Sequence, residues 1–402
     1  MGRVPGPEPA PPPQQRVAPL VVGVVGRSLE AVKPGRMVAD KYRVEREIGR
    51  GGFGVVVQAR HLALDQIVAI KVLTPSEEGG WKEDAARFKR EAQATAALRS
   101  EHVVRILDVD FLEDGSPYTV MEYLEGETLH QAIHTRGPLA IDEAVDHVIE
   151  VLAALAEAHG AGIVHRDLKP ANVLVTKGAG GTMVAKVLDF GVSKIGAYSG
   201  LGSISAGAQP ITKTGAVIGT VAYMAPEQMV DAKRVDGRAD IFSVGIILYE
   251  LLTRQTPFGP PTNPGIVTTM LTKPPTPLSA LRRDLPPKLE RVVMRCLEKQ
   301  PERRPATAAA MAAALAPFAS SRARAALDSL RRAPRPTGAA APIEKGGPRP
   351  LGVPRASNGL LAIGIIGAVV TVALLGLAAG IHIANRTAPA PSLAAEAGVR
   401  DR

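Results

Sequence analysis

A glycine-rich segment near residue 50 is the first part of the chain whose composition suggests chemistry. Residues Gly49–Gly54 read GRGGFG and are followed by Val55 and Val56. Glycines let backbone amides approach a phosphate group because no Cβ stands in the way. A plain glycine hairpin or a dinucleotide-binding loop would show a similar pattern. The segment precedes a strand-like run rather than a helix, which argues against the dinucleotide fingerprint.

A single lysine, Lys71, lies in the strand-like apolar run Ile67–Leu73. An ammonium group is costly to bury without a partner, so Lys71 requires an anionic neighbour. Glu91, on the helical segment that follows, is the candidate partner.

The central signature of the chain is His165–Asn172, which reads HRDLKPAN. It is followed by Asp189–Gly191 (DFG) and by Ala225–Glu227 (APE). With the glycine-rich segment and Lys71, these motifs resemble the eukaryotic-like protein kinases, specifically the serine/threonine branch found in bacteria. The resemblance covers about Tyr42–Phe318 and includes every catalytic motif of the family in order.

The resemblance implies a nucleotide site. Gly49, Gly51 and Gly54 would cover the phosphates of ATP, and Lys71 would hold the α- and β-phosphates while pairing with Glu91. Met121 lies where the family places its gatekeeper, and Glu122–Leu124 would be the hinge that faces adenine. The residues implied to line the site are Ile48, Gly49, Gly51, Gly54, Val56, Ala69, Lys71, Glu91, Met121, Glu122, Leu124 and Leu174.

The resemblance also implies a catalytic centre. Asp167 would accept or orient the proton of the substrate hydroxyl, and Lys169 would neutralise charge on the γ-phosphate. Asn172 and Asp189 would hold Mg²⁺, with Mn²⁺ as an alternative. Phosphoryl transfer needs alignment and charge stabilisation more than covalent help, and Mg²⁺ prefers oxygen ligands of this kind.

Smaller features indicate the substrate class and the scaffold. Lys169 and Gly219-Thr220 both resemble the branch that phosphorylates serine and threonine. By the same resemblance, Asp240 would hydrogen-bond the backbone of the catalytic loop, and Arg304 would pair with Glu227. We interpret His165 as a packed structural histidine.

The resemblance extends to regulation. Arg166, beside Asp167, is typical of kinases in which a phosphate on the activation loop pairs with a catalytic-loop arginine. Thr212 and Thr214, in the sequence TKT, resemble the autophosphorylated threonines of the bacterial members. We therefore expect phosphorylation of these residues to order the loop through charge-assisted hydrogen bonds.

The elements that must position these residues divide into two kinds. Tyr42–Gly49, Val55–His61, Ile67–Leu73, Val103–Phe111 and Pro117–Glu122 are predicted strands, and Trp81–Leu98 is a predicted helix. Ile141–His159 has one apolar face at helical spacing, and Asp240–Thr253 is apolar nearly all round, which indicates a buried helix. The fold class is therefore α+β: the bilobal protein-kinase fold, with a small β-rich lobe, a larger helical lobe and a cleft between them.

The 402-residue composition limits the remaining possibilities. The single Cys296 excludes an intrachain disulfide framework, and the eight histidines show no spacing typical of a metal site. The predicted organisation is a Pro-rich disordered leader at 1–36, a kinase domain at 42–318, and a basic Pro/Ala-rich linker at 319–358, followed by a transmembrane helix at 360–381 and a short tail at 385–402. Of the formal charge of +9, eight basic and two acidic residues give the linker +6. Because no folded element carries a basic stripe with stacking aromatics, nucleic-acid binding is excluded.

The run Leu360–Ile381 contains no charged residue and is long enough to span a bilayer. Because the basic linker precedes it, the positive-inside rule predicts a cytoplasmic kinase and an exported C-terminus, anchored in the plasma (inner) membrane. Gly376 and Gly380 have the small-residue spacing that pairs membrane helices, so a homodimer is a further hypothesis.

Two functions remain at this point. The first is a membrane-anchored serine/threonine kinase that acts on proteins. The second is a pseudokinase or scaffold that binds nucleotide or partners without catalysis. The second usually shows a lost catalytic residue, whereas Lys71, Asp167, Asn172 and Asp189 are all present.

Overall fold

The computed structural model describes residues 30, 32–51, 54–73, 81–190, 221–231 and 235–332. The chain divides into two units, 1–340 and 341–402, and all described residues belong to the first. The strands are β1 (Met37–Val38), β2 (Tyr42–Gly51), β3 (Gly54–His61), β4 (Gln66–Leu73), β5 (Ile106–Phe111), β6 (Pro117–Glu122), β7 (Gly126–Thr128), β8 (Val173–Lys177) and β9 (Met183–Val187). The helices are α1 (Trp81–Ala96), α2 (Leu129–Arg136), α3 (Ile141–Gly160), α4 (Pro226–Val230), α5 (Arg238–Thr253), α6 (Ile266–Thr272), α7 (Pro287–Cys296), α8 (Ala308–Leu315) and α9 (Arg324–Arg332).

The first lobe is an antiparallel sheet in the order β1-β2-β3-β4-β6-β5, with α1 packed against β5. Alternate β-branched residues point to one face because side chains alternate along a strand. Val55 and Val57 of β3 and Val68, Ile70 and Val72 of β4 are buried in this way and form one core. The predicted β-rich lobe is therefore confirmed.

The second lobe is mostly helical. Every residue of α5 from Ala239 to Thr253 is buried, and α3 contributes the apolar face that includes Val145, Val148 and Leu152 to the same core. A small antiparallel sheet, β7-β8-β9, lies at the start of this lobe. The bilobal α+β fold predicted from the sequence is confirmed.

One predicted strand is shorter than expected. The sequence predicts Val103–Phe111, but β5 begins at Ile106. Val103 forms an isolated bridge with Val187, and the Val104 amide donates to the Val187 carbonyl at 3.1 Å. The β-branched residues are therefore used to connect the first lobe to β9 rather than to lengthen β5.

The predicted leader at 1–36 ends in ordered structure. Val32 is buried in the core of the first lobe, and the Gly35 amide donates to the Val44 carbonyl at 2.8 Å. Residues 1–29 lie outside the described residues.

The predicted linker at 319–358 also differs from the structure, because it begins with a folded segment. Residues Ser321–Ala323 form a turn that leads into α9, and Ala323, Ala326 and Leu330 are buried against the second lobe. We call Ser320–Arg332 the C-terminal segment. Its Arg322 Nε lies 3.2 Å from Oδ2 of the buried Asp146 on α3.

Within the described ranges, no helix combines the length and apolar character that a membrane crossing requires. The predicted span at 360–381, the rest of the linker from residue 333 and the tail at 385–402 lie outside those ranges.

Candidate active site

The glycine-rich segment forms the end of the β2–β3 hairpin, in which Gly51 pairs with Gly54. Gly54 has a φ of +150°, and a Cβ there would lie 2.0 Å from the Val72 carbonyl oxygen. Only glycine fits this position. A Cβ on Gly51 would meet no atom within 4 Å, and one on Gly49 would meet only Val56 at 3.9 Å. Ile48 is exposed beside them.

An apolar cluster lies where the two sheets meet. Ala69 of β4 and Met121 of β6 are register partners, and both pack with Val104. The partly buried members of the cluster are Val56, Tyr123, Leu124 and Leu188. Since Leu188 directly follows β9 and the other residues extend from the first sheet, the cluster connects the two lobes where the resemblance implies an adenine pocket. Leu174 is half-buried on β8, opposite Lys186.

The hinge carries a charged contact that the sequence did not predict. Oε1 of Glu122 accepts a hydrogen bond from the Arg105 amide at 2.9 Å and lies 2.7 Å from Lys186 Nζ. Because Lys186 is on β9, this contact ties the end of β6 to the second lobe.

Lys71 forms an ion pair that the sequence did not predict. Its Nζ lies 2.8 Å from Asp189 Oδ2. The side chains of Lys71 and Asp189 are 14% and 27% exposed. Asp189 follows β9 and has a φ of +59°. Its carboxylate supplies the anionic partner that the buried Lys71 ammonium requires. Glu91, the predicted partner, is half-buried on α1, and its pairing with Lys71 stays a prediction.

The structure brings together the polar residues of the catalytic loop. Lys169 Nζ lies 3.3 Å from Asp167 Oδ2. Asn172 Nδ2 donates to the Asp167 carbonyl at 2.8 Å and to its Oδ2 at 3.3 Å. The Leu188 amide donates to the Asn172 carbonyl at 2.8 Å, which places Asp189 beside the same loop.

Asp240 hydrogen-bonds the backbone of this loop. Its Oδ2 accepts from the His165 amide and its Oδ1 from the Arg166 amide, both at 2.8 Å. His159 Nε2 lies 2.8 Å from the same Oδ2. Burial acts to raise the pKa of Asp240, but the bonds from His159 and the His165 amide outweigh it, so the pKa lies below its ordinary value. Asp240 is therefore a buried, ionised anchor.

His165 is a structural residue in this arrangement. Its Nε2 lies 2.9 Å from the Leu188 carbonyl, and its Nδ1 accepts from the Asp167 amide at 3.2 Å. The neutral tautomer with the proton on Nε2 satisfies both contacts. The ring is fully buried and lies 4.9 Å from the ring of Phe190.

Arg304 and Glu227 form a bidentate pair. Arg304 Nη1 and Nη2 donate to the two carboxylate oxygens of Glu227 at 2.6 and 2.8 Å. The guanidinium carbon lies 4.8 Å from the centre of the Phe242 ring. This pair fixes α4 against the late helices of the second lobe.

The predicted regulatory residues are only partly among the described residues. Thr212, Thr214 and Thr220 lie outside the described residues. Arg166 is described and has a φ of +63°. Its carbonyl accepts from Gln228 Nε2 at 3.0 Å, so α4 is bonded directly to the catalytic loop.

Sequence reasoning missed His159, Gln228 and Lys186, which support the site without lying in its motifs. His159 lies in the last turn of the amphipathic helix α3, and Gln228 directly follows the APE motif. Their polarity near buried segments was the available signal. Nothing in the local sequence identified Asp240, Arg166 or Glu122 as their partners.

The donor set fits a nucleotide with a divalent metal ion. The Asn172 amide nitrogen donates to Asp167, and the Asn172 amide oxygen is the atom that would bind a metal ion. Asp189 adds a carboxylate beside Lys71. Mg²⁺ and related hard cations prefer such oxygen ligands. The close approach of Gly54 to β4 provides the tight hairpin under which phosphates would lie.

Comparisons with known proteins agree with this geometry. The protein kinase domain family matches residues 42–315. The chain is 41% identical to serine/threonine-protein kinase pkn3 of Myxococcus xanthus over 283 residues, which cover 70% of this chain and 50% of that protein. It is 37% identical to PknB of Mycolicibacterium smegmatis over 281 residues, which cover 69% of this chain and 43% of that protein. The matched region thus spans half or less of these relatives.

A solved structure is also similar. The PknI kinase domain of Mycobacterium tuberculosis aligns with a TM-score of 0.55 and 28% identity, over 72% of this chain and 100% of that one. Kinases of this family use ATP and a divalent metal ion. The chain belongs to the protein kinase family, in the branch of bacterial eukaryotic-like serine/threonine kinases.

Proposed function

We propose that this chain is an active kinase that transfers the γ-phosphoryl group of ATP to serine and threonine hydroxyls of proteins. The observation that carries the proposal is the joined set of Asp167, Lys169 and Asn172, with the Lys71–Asp189 pair beside it. A pseudokinase usually lacks a member of this set, and here each one is present.

The chain's own residues divide the work of phosphoryl transfer. Asp167 would orient the substrate hydroxyl and accept its proton, because the contacts of Asn172 and Lys169 hold its carboxylate in place. Lys169 would stabilise negative charge on the transferring group, and Lys71 would position the α- and β-phosphates. Asn172 and Asp189 would hold Mg²⁺ or Mn²⁺, which neutralises phosphate charge when bound.

The test uses the full chain purified in detergent, with labelled ATP, Mg²⁺ and a generic protein substrate. We expect label on serine and threonine of the substrate and none on tyrosine. Asp167→Asn keeps the size of the side chain but removes the base, so it should abolish transfer. Transfer by the wild type no greater than by Asp167→Asn, across Mg²⁺ and Mn²⁺, would favour the pseudokinase or scaffold.

We further propose that phosphorylation of Thr212 and Thr214 by the chain itself activates it. The support is the TKT sequence together with Arg166, a cation on the catalytic loop. Mass spectrometry after incubation with ATP should find phosphate on both threonines. The double variant Thr212→Ala, Thr214→Ala should lose that phosphate and most of the activity, and unchanged activity would contradict the proposal.

The remaining part of the proposal is membrane anchoring through 360–381, with the kinase domain in the cytoplasm and the C-terminus outside. Its support is the uncharged apolar run preceded by a basic segment. The full chain should stay in the membrane pellet after alkaline extraction, and a chain lacking 360–381 should not. To test whether the span also pairs two copies, crosslinking of the wild-type full chain is compared with that of the double variant Gly376→Ile, Gly380→Ile. A crosslinked dimer that is lost in the double variant would support pairing, and equal crosslinking of both would contradict it.

A further inference from the structure

Two histidines, His130 and His134, lie one turn apart on α2. Their ring centres are 4.2 Å apart, the ring planes are inclined by 43°, and both side chains are exposed. Histidines spaced i and i+4 on one face of a helix are an arrangement that binds metal ions in proteins. The sequence-based prediction lacks helix α2, so this spacing was not recognised there.

The ring of His134 is already oriented. Its Nδ1 lies 2.8 Å from the His130 carbonyl oxygen, a contact in which the ring N–H donates. That bond fixes the tautomer with a lone pair on Nε2, as outer-shell bonds do for metal-binding histidines. The lone pair on the free nitrogen of a neutral imidazole is the group that binds a metal ion.

The pair lies at a pocket beside the catalytic loop. The pocket has a volume of about 570 Å³, and Lys169, Tyr223 and Glu250 line it together with the two histidines. The Tyr223 hydroxyl donates to Glu250 Oε2 at 2.6 Å, so the Glu250 carboxylate already has a hydrogen-bond partner. Arg254 also lines the pocket, and with Lys169 it makes the lining unfavourable for a cation held by charge alone.

We propose that His130 and His134 form a two-imidazole site for a divalent transition-metal ion such as Zn²⁺. Imidazole nitrogens suit Zn²⁺, Cu²⁺ and Ni²⁺, whereas Mg²⁺ prefers oxygen ligands, so the site discriminates against the metal of the catalytic centre. No cluster of three or more His, Cys, Asp or Glu that could hold a metal ion occurs among the described residues.

A metal ion at this site has a functional consequence, which rests on the proposed kinase activity. The pocket shares Lys169, Pro170 and Ala171 with the catalytic loop. A hydrated Zn²⁺ at its edge narrows the space through which a protein substrate approaches Asp167. Zn²⁺ therefore inhibits phosphorylation of protein substrates from a position outside the nucleotide site.

The binding test needs no ATP and no kinase activity. The full chain is titrated with Zn²⁺ alone in competition with a chromogenic metal chelator. The Zn²⁺ binding of His130→Gln, His134→Gln and the double variant is compared with that of the wild type. His61→Gln, on the β3–β4 hairpin, is the matched control. The wild type and the control should bind one Zn²⁺ more than the double variant, and each single variant should weaken that site at least about tenfold. Excess Mg²⁺ should not displace the ion.

Equal Zn²⁺ binding by wild type and double variant would overturn the site. Thermal unfolding of each variant checks that the fold is kept, and because both side chains are exposed we expect no loss. The activity test then compares Zn²⁺ inhibition of substrate phosphorylation at constant Mg²⁺. The double variant should resist inhibition, and equal inhibition of both proteins would overturn the inhibitory role. Absence of any activity without Zn²⁺ would contradict only the proposed kinase function, since the binding measurement is independent of it.

Discussion

Arg304 is a buried cation whose five N–H donors all have acceptors. Two of them donate to the Glu227 carboxylate. The other three donate to the carbonyls of Glu298, Lys299 and Arg238 at 2.8, 3.1 and 3.0 Å. The Arg304 side chain is 0% exposed, whereas that of Glu227 is 23% exposed. Replacement of Glu227 by alanine would therefore leave a guanidinium in the protein interior without its counter-charge.

The expected cost follows from that burial. Removal of one partner of a buried ion pair destabilises a protein by about 3–5 kcal/mol, because the other charge stays buried. Since Glu227 is partly exposed and water can enter the space it vacates, we expect the lower end, about 3 kcal/mol. At roughly 2 °C per kcal/mol for a large domain, Tm should fall by about 6 °C.

The assay is urea and thermal unfolding of Glu227→Ala, followed by circular dichroism. The matched control is Asp328→Ala, which breaks the Asp328–Arg331 pair, whose side chains are 47% and 76% exposed. That pair should contribute less than about 1 kcal/mol. In an Arg304→Met background, Glu227→Ala should cost much less than in the wild type, because no buried charge remains to be stranded. If Glu227→Ala and Asp328→Ala destabilised the protein equally, the burial argument would be refuted.

Three further predictions concern the glycine hairpin, the anchor and the C-terminal segment. Gly54→Ala should destabilise the first lobe by about 1–3 kcal/mol or more, because of its positive φ and the contact with Val72, and should weaken nucleotide binding. Gly51→Ala should have little effect on stability, because a Cβ there meets no atom within 4 Å. Unfolding measures the stability of both variants, and nucleotide titration measures binding by Gly54→Ala. The second prediction concerns Asp240, whose pKa in the folded protein is lowered from 3.8. The ionised carboxylate therefore contributes its full stabilising free energy above pH 3.8, and this contribution is lost as the pH falls through the folded pKa. Asp240→Asn should therefore be less stable at neutral pH, and its stability difference from the wild type should shrink below about pH 4 in pH-dependent unfolding. Arg322→Ala should cost about 1–3 kcal/mol by urea unfolding, because it leaves the buried carboxylate of Asp146 with fewer donors, whereas Arg324→Ala on the exposed side of α9 should be nearly neutral.

The strands of the first lobe were predictable because their signal is local. Alternating β-branched residues bounded by glycines predicted Val55–His61 and Ile67–Leu73 within one residue of β3 and β4. The two long helices of the second lobe were predicted nearly as well, since α3 has a continuous apolar face and α5 is apolar throughout.

The features that were missed depend on distant partners. The C-terminal segment has the composition of a linker, yet Ala323, Ala326 and Leu330 are buried against the second lobe. Small alanines give a weak periodic signal, and nothing near residue 322 in the sequence points to Asp146. Helix α2 is short and polar, and it is stabilised by the capping box between Thr128 and Gln131.

The candidate site shows the same division. The motifs predicted the residues that lie around Asp167, because those residue types at that spacing are typical of phosphoryl transfer. The Lys71–Asp189 contact was not predictable in the same way, because a lysine in a strand requires an anion without specifying which one. The sequence analysis named Glu91 and did not anticipate the 2.8 Å contact of Lys71 Nζ with Asp189 Oδ2.

The bond between Ser320 and Asp146 has a consequence for the order in which the protein is made. The two residues are 174 positions apart, and Asp146 lies near the start of α3, which the helical core surrounds. At a synthesis rate of about 5–20 residues per second, Ser320 is made roughly 9–35 s after Asp146. The first lobe can form its sheet during that interval, but the carboxylate of Asp146 has no Ser320 or Arg322 to bond until almost the whole domain has been synthesised. The second lobe therefore completes its packing late in translation, and during this interval its unfinished surface is open to chaperones.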